Sequence, residues 1–254
     1  MMSIKAIVFS PTGGTKAVCD ILAREIGPDP FEIDLTDRFA DHEQIALSAD
    51  DVVVIAMPCY AGRVPALAAE RFRRISGQGA RAVVVAVYGN RAYDDELVEL
   101  VDLAHDGGFR VIAGVAAVAE HSIVREYAAG RPDTQDVQDL ADIAARIREK
   151  LAAADNSVPD VPGNRPYKDA PAGGNVPEAD SACVHCGTCA AHCPNGAIDP
   201  EHPARTDATR CISCMRCVSI CPAQARRIDP AKTAAIREKL RDVCSVRKAP
   251  ECYL

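Results

Sequence analysis

Between residues 183 and 222 the chain carries eight cysteines in two runs of identical spacing. Cys183, Cys186, Cys189 and Cys193 form C-x2-C-x2-C-x3-C followed by Pro194, and Cys211, Cys214, Cys217 and Cys221 repeat it, followed by Pro222; each cysteine of the second run lies 28 positions after its counterpart. Nothing else in the chain constrains its folding so tightly. Thiolate sulfur is the preferred ligand of iron in iron–sulfur clusters, and two tandem runs each closed by Cys-Pro point to two 4Fe-4S clusters. Structural zinc, the other chemistry of paired C-x2-C motifs, asks for four ligands in two knuckles. Gly187, Thr188, Ala190, Gly196, Ala197, Ser213 and Ala223 are small. They suit a backbone that wraps closely and aims N–H groups at sulfur.

Residues 181–230 therefore resemble the bacterial 2[4Fe-4S] ferredoxins. The resemblance implies that the fourth cysteine of each run serves the other run's cluster. One cluster would take Cys183, Cys186, Cys189 and Cys221, the other Cys193, Cys211, Cys214 and Cys217.

The N-terminal half has a different pattern. Ile4–Phe9, Phe31–Leu35, Val52–Met57, Ala82–Val87 and Arg110–Val118 read as strands from their apolar, β-branched runs, and Lys16–Ile26, Pro65–Ile75, Asp94–His105 and Asp133–Ala154 as helices. The alternation predicts a doubly wound, five-stranded parallel sheet covered on both faces, with ligands at the carboxyl ends of its strands. The first loop there is Ser10-Pro11-Thr12-Gly13-Gly14-Thr15. Hydroxyls, glycines and a helix start make it an anion site suited to a terminal phosphate. It is neither a nucleoside-triphosphate nor a dinucleotide glycine motif. Two further loops, Pro58-Cys59-Tyr60-Ala61-Gly62-Arg63 and Tyr88-Gly89-Asn90-Arg91-Ala92-Tyr93, each offer an aromatic ring, a glycine and an arginine. A planar cofactor with a phosphate tail fits that set.

With these loops the first 155 residues resemble the flavodoxins, and the chain as a whole resembles the ferrodoxin family of flavodoxin–ferredoxin fusions. The resemblance implies FMN, its phosphate held by Ser10, Thr12, Gly13, Gly14 and Thr15. Pro58, Cys59, Tyr60, Ala61, Gly62 and Arg63 would bracket the flavin ring from one side, and Tyr88, Gly89, Asn90, Arg91 and Tyr93 from the other. Gly62 is placed where a peptide can turn its carbonyl toward flavin N5, a motion cheap only for glycine; an ordinary turn glycine is the plainer reading. Arg63 and Arg91 are read either as positive charge near the ring or as partners of Asp94, Asp95 or Glu96. His121 is read as a relay at the cofactor edge or as a locally hydrogen-bonded loop residue. Cys19 and Cys59 are expected as small buried hydrophobes, and Cys244 and Cys252 have no run spacing.

A proline- and glycine-rich linker is expected over residues 156–180, with Pro159, Pro162, Pro166, Pro171, Pro177, Gly163, Gly173 and Gly174. Residues 231–254 follow as a helix (Pro230–Asp242) and tail. Arg226–Lys248 holds eight basic residues against three acidic, a local charge of +5 in a chain of net charge −7. That segment is either a solvated tail or docks on the acidic flavodoxin-like domain or an acidic redox partner. The net acidity argues against nucleic acid. No secretory signal is expected at Met1–Ser10, and no apolar run is long enough for a membrane span, so the expected location is the cytoplasm. With reduced thiols there, cysteine clusters bind metal.

The function these readings imply is electron transfer between FMN, two 4Fe-4S clusters and an external redox partner, in an anaerobic or low-oxygen metabolism. No residue is assigned a catalytic role. Flavin and clusters would meet within one chain or across a homodimer. The alternative is an FMN-dependent oxidoreductase acting on a small substrate, with the clusters as relay; a non-redox protein with structural clusters is the third class.

Overall fold

The computed structural model describes residues 3–43, 45–169 and 174–254. Pro171 and Gly173, named above in the linker, lie outside the described residues.

Five strands, β1 (Ile4–Val8), β2 (Phe31–Asp34), β3 (Val52–Pro58), β4 (Arg81–Tyr88) and β5 (Arg110–Val118), pair in parallel in the order β2-β1-β3-β4-β5. That is the flavodoxin-like order, with its switch point between β1 and β3. Helices α1 (Gly14–Ile26) and α4 (Thr134–Ala152) cover one face, α2 (Ala66–Phe72) and α3 (Glu96–Asp106) the other. Successive side chains of a strand point to opposite faces. In β3, Val52, Val54 and Ala56 pack toward α1 and α4, while Val53, Ile55 and Met57 pack toward α2 and α3. Burial on both faces is why these strands read as unbroken apolar runs.

The sheet is not limited to the expected five strands. Glu251–Tyr253, labelled β8 below, adds a sixth, antiparallel to β5, pairing Gly114 with Tyr253 and Ala116 with Glu251. An open edge strand is a template for unwanted pairing, and the tail covers this one. The tail is thus docked on the flavodoxin-like domain. Arg247 donates to Asp133 at 2.7 and 2.9 Å, and Asn90 Nδ2 donates to the carbonyls of Cys244 and Val246 at 2.8 and 2.9 Å. The linker is strapped down as well. Arg165 holds Asp102 on α3 at 2.6 and 2.8 Å, and the backbone N–H groups of Asn164 and Lys168 donate to Asp95 at 2.9 and 2.7 Å.

The cysteine-bearing segment comprises β6 (Glu178–Ala179) paired antiparallel with β7 (Arg226–Arg227), and the short helices α5 (Thr188–Ala191) and α6 (Arg216–Ser219). Its backbone repeats at the spacing of the cysteines. Left-handed φ occurs at His185, Gly187 and Gly196, and again at Ser213, Met215 and Gln224. Helix α7 (Pro230–Cys244) leads to β8. Among the described residues no helix is long and apolar enough to cross a membrane.

Candidate functional site

The fold sorts the eight cysteines into two sets, and the sets are crossed. Cys183, Cys186, Cys189 and Cys221 line one cavity; Cys193, Cys211, Cys214 and Cys217 line the other. Each cavity therefore receives three sulfurs from one run and the fourth from its partner, so the two halves of the segment hold each other. Among the described residues no group of three or more His, Cys, Asp or Glu side chains is arranged around a single metal ion. Four thiols about a cavity form a donor set for a polynuclear sulfur-bridged group. Backbone N–H groups aim at sulfur as well: Ala197 donates to Cys193 Sγ at 3.2 Å and Ser213 to Cys211 Sγ at 3.4 Å.

The second site lies at the carboxyl edge of the parallel sheet. In the first loop Ser10 Oγ accepts from the N–H of Lys16 at 2.9 Å, and Ser10 N–H donates to Thr36 Oγ1 at 2.7 Å, which closes the turn. Thr15 is buried, Thr12 and Gly13 are exposed, and Gly13 caps α1 with φ 94° and open space where a side chain would stand. The start of α1 is thus open beside Gly13, where a helix N-terminus can take an oxyanion, with the Lys16 N–H held by Ser10 Oγ. Lys16 turns away to Asp20 and Glu32. In the second loop Tyr60 and Arg63 exchange backbone hydrogen bonds at 3.0 and 3.2 Å around Ala61 and Gly62, whose φ values are 55° and 88°. A Cβ on Gly62 would stand 2.2 Å from Asp94 Oδ2, so close approach and backbone conformation both require glycine. The Gly62 carbonyl accepts from Asp95 N–H at 3.1 Å.

The two sites are adjacent. Arg71 donates to the Leu35 carbonyl at 2.6 Å and to the Pro194 carbonyl at 2.5 Å, joining the sheet edge to the residue after Cys193. Arg216, between Cys214 and Cys217, reaches Pro11 of the first loop at 3.1 Å, and its buried Nε has no hydrogen-bond partner among the described residues. Burial pushes the Tyr60 hydroxyl well above the usual tyrosine range, and the Cys214 and Cys211 thiols of the second cysteine set add to the rise. Loop and cysteine set belong to one chain.

Residues 182–226 match the family of 4Fe-4S dicluster domains. No curated protein matches the chain. Among solved structures, a flavodoxin of Streptococcus pneumoniae TIGR4 is 19 % identical with a TM-score of 0.39, covering 61 % of this chain and 99 % of that one. The two-electron reduced flavodoxin of Megasphaera elsdenii is 18 % identical with a TM-score of 0.40, covering 56 % and 98 %. Rubredoxin:oxygen oxidoreductase of Desulfovibrio gigas is 16 % identical with a TM-score of 0.41, covering 59 % and 36 %. The flavodoxin-like assignment rests on the strand order.

Around the dicluster segment the remaining sequence-selected residues divide. Arg63 lies on Glu99, through Nε at 2.7 Å and a second nitrogen at 2.9 Å, and stacks over Tyr167 at 4.8 Å. Arg91 pairs with Asp94. Both arginines are thus held by carboxylates. Tyr88 is buried and tilted 59° against Tyr93 at 5.4 Å, and Tyr93 donates to Glu251 at 2.8 Å. Asn90 holds the C-terminal segment, as described above. Gly89 lies under the His121 ring, where a Cβ would meet it at 2.6 Å. His121 Nδ1 accepts from the N–H groups of Ile123 and Val124 at 3.2 and 3.0 Å, the local hydrogen bonding of a loop residue. The half-buried Cys59 points its thiol at the carbonyls of Ala92 and Tyr93, 3.7 Å away, and burial pushes its pKa well up. Pro58 is half-buried beside it.

The burial of two charged residues at the sites was not foreseen from the sequence. Glu96 is fully buried beside Cys59, whose thiol is the only side-chain donor that reaches its carboxyl among the described residues, and desolvation raises its pKa well above the carboxylate range. Arg226 is 3 % exposed and donates to Cys189 Sγ at 3.6 Å.

Proposed function

We propose that the chain is an electron-transfer protein. FMN is held at the carboxyl edge of the flavodoxin-like sheet, and two 4Fe-4S clusters are held by the crossed cysteine sets; electrons pass between them and an external redox protein. When bound, FMN exchanges one or two electrons and each cluster exchanges one, so the pair divides a two-electron step into single ones. The observation that carries the reading is the contact of the cysteine-bearing segment with the sheet edge: Arg216 reaches Pro11 of the first loop, and Arg71 ties Pro194 to the stretch after β2.

Each part of the chain has a definite task in this reading. Ser10, Thr12, Gly13, Gly14 and Thr15 receive the phosphate. The loops carrying Tyr60 and Tyr88 flank the ring and exclude water from it. Gly62 gives the second loop its close approach to the third, and the strapped linker and β8 fix the dicluster segment against the sheet edge.

An anaerobic redox titration of reconstituted protein tests the proposal, with iron and flavin counted first. About eight irons and one FMN per chain are expected, with the flavin spectrum and the cluster signal coming to equilibrium in one molecule. Filled clusters without flavin, or flavin that never exchanges electrons with them, would overturn it.

A further inference from the structure

The 28-residue repeat aligns more than cysteines. It brings Ile198 of the first half into correspondence with Arg226 of the second. Both are buried, at 2 % and 3 % exposure. Ile198 lines the cavity of Cys193, Cys211, Cys214 and Cys217, while Arg226 lines that of Cys183, Cys186, Cys189 and Cys221. One site thus has an aliphatic side chain where its twin has a guanidinium.

No carboxylate pairs with Arg226 among the described residues. Its hydrogen bonds go to Cys189 Sγ at 3.6 Å, to the carbonyls of Pro203 and Pro177 at 2.5 and 3.0 Å, and to Thr206 Oγ1; Nε has no partner. Its neighbour Arg227 is the one that meets an acid, Asp180. A buried cation without counter-charge is strongly disfavoured, and arginine cannot shed its proton. The negative charge that balances it belongs to the cysteine sets. The charge also reaches the other set, Cys217 through a hydrogen bond and its field and Cys211 through its field. The 3.6 Å hydrogen bond to Cys189 Sγ and the cavity lining are on the Cys189 side.

We propose that Arg226 makes the two cluster sites unequal, stabilising added negative charge most at the site of Cys183, Cys186, Cys189 and Cys221. The inference rests on the iron–sulfur reading above. An electron shared by the two clusters then resides at that site: one cluster is oxidised by one electron, the other reduced by one, and no bond or proton moves. The arrangement gives the relay a direction. The contacts with the sheet edge fall on the other set, whereas the set beside Arg226 includes the exposed Cys186 and lies next to Val184, which is 67 % exposed. Arg226 therefore draws electrons delivered at the flavin side across the segment to its exposed end, where an external redox protein approaches.

The test is an anaerobic potentiometric titration of the full-length, iron-loaded protein, followed by the paramagnetic signals of the clusters. The wild type is expected to show two resolved one-electron cluster reductions. Arg226→Ile, which restores the residue of the first half, should move the more positive one in the negative direction until the two overlap. Arg226→Lys, which keeps the charge, should retain most of the separation, and Arg227→Gln should move neither. Two wild-type clusters reduced in one unresolved step would overturn the inference whatever the variants do. So would full separation in iron-replete Arg226→Ile, or, should that variant not hold iron, its collapse in iron-replete Arg226→Lys. A wild type that binds no clusters would instead overturn the reading beneath it.

Discussion

The flavodoxin-like region and the dicluster segment stand side by side in one chain but are held together by different forces. In the first, two layers of aliphatic side chains are buried, one on each sheet face, contributed by five strands and four helices. In the second, the buried apolar cluster is Cys189, Ala190, Ile198 and Cys217, and two of those four are themselves proposed ligands. A segment this short cannot bury enough apolar surface to offset chain entropy, so metal binding and folding become one event. The sheet is therefore expected to fold without a cofactor and the segment to need its metal.

The largest effect that follows is iron removal. Chelation under reducing conditions should unfold the segment around residues 181–226 and open it to protease, while the parallel sheet and the β8 pairing of Val115 with Cys252 keep their hydrogen-exchange protection. Cys214→Ser should do the same in part. Loss of protection in β3 and β4 on chelation would break the comparison, because the sheet would then depend on the clusters too.

A core truncation probes the other side. Leu140 on α4 is fully buried against the sheet, and Leu140→Ala should cost about 2–5 kcal/mol. Urea unfolding followed by far-ultraviolet circular dichroism would measure it. The cluster absorption of folded protein should be unchanged, since Leu140 belongs to the opposite face from the sheet-edge contacts. An altered cluster spectrum in the folded variant would show that the two regions share one core.

What the chain made legible follows the same division. Ligand spacing is local, so the two cysteine runs were readable from eight positions and a repeat, and their crossing from the resemblance those runs carry. The five parallel strands emerged from apolar runs for a related reason: short β-branched runs suit strands buried on both faces, though their order came from the fold. Elements whose partners lie far off in the chain were not readable. The sequence Glu251-Cys252-Tyr253 is too short to declare itself a strand, and it is one because β5 offers an open edge. Arg226 was counted among the basic residues of a tail, yet it is buried at a cysteine set. Charge counting registers sign, and the fold decides exposure. Arg63 illustrates the limit for site residues: its loop was rightly placed at the sheet edge, but Glu99, 36 positions away, decides where the guanidinium goes.

Neighbouring carboxyls at the start of α3 give the finest comparison. Asp95 and Glu96 are both buried, at 2 % and 0 % exposure. The N–H of Lys168, and after it Asn164, holds Asp95 below the usual carboxylate range; for Glu96 desolvation outweighs the Cys59 thiol and holds it well above. Glu96 is thus neutral in the fold at pH values where it is ionised in the unfolded chain. A raised folded pKa means that the folded state binds the extra proton, so this group's contribution to stability falls as pH rises from the ordinary glutamate range up through its folded value. Each unit of elevation corresponds to about 1.4 kcal/mol once the group must ionise. Glu96→Gln removes the ionisation and keeps the shape. Urea midpoints of the flavodoxin-like region at pH 5 and pH 8 should therefore fall less steeply with pH in the variant than in the wild type, with the variant the more stable at pH 8. Parallel slopes would mean that water or Cys59 solvates the carboxylate well enough to ionise it. Arg226 cannot make the adjustment available to Glu96. An unpaired buried acid sheds its charge to its surroundings, whereas an unpaired buried guanidinium must find counter-charge, and in this chain the nearest is sulfur.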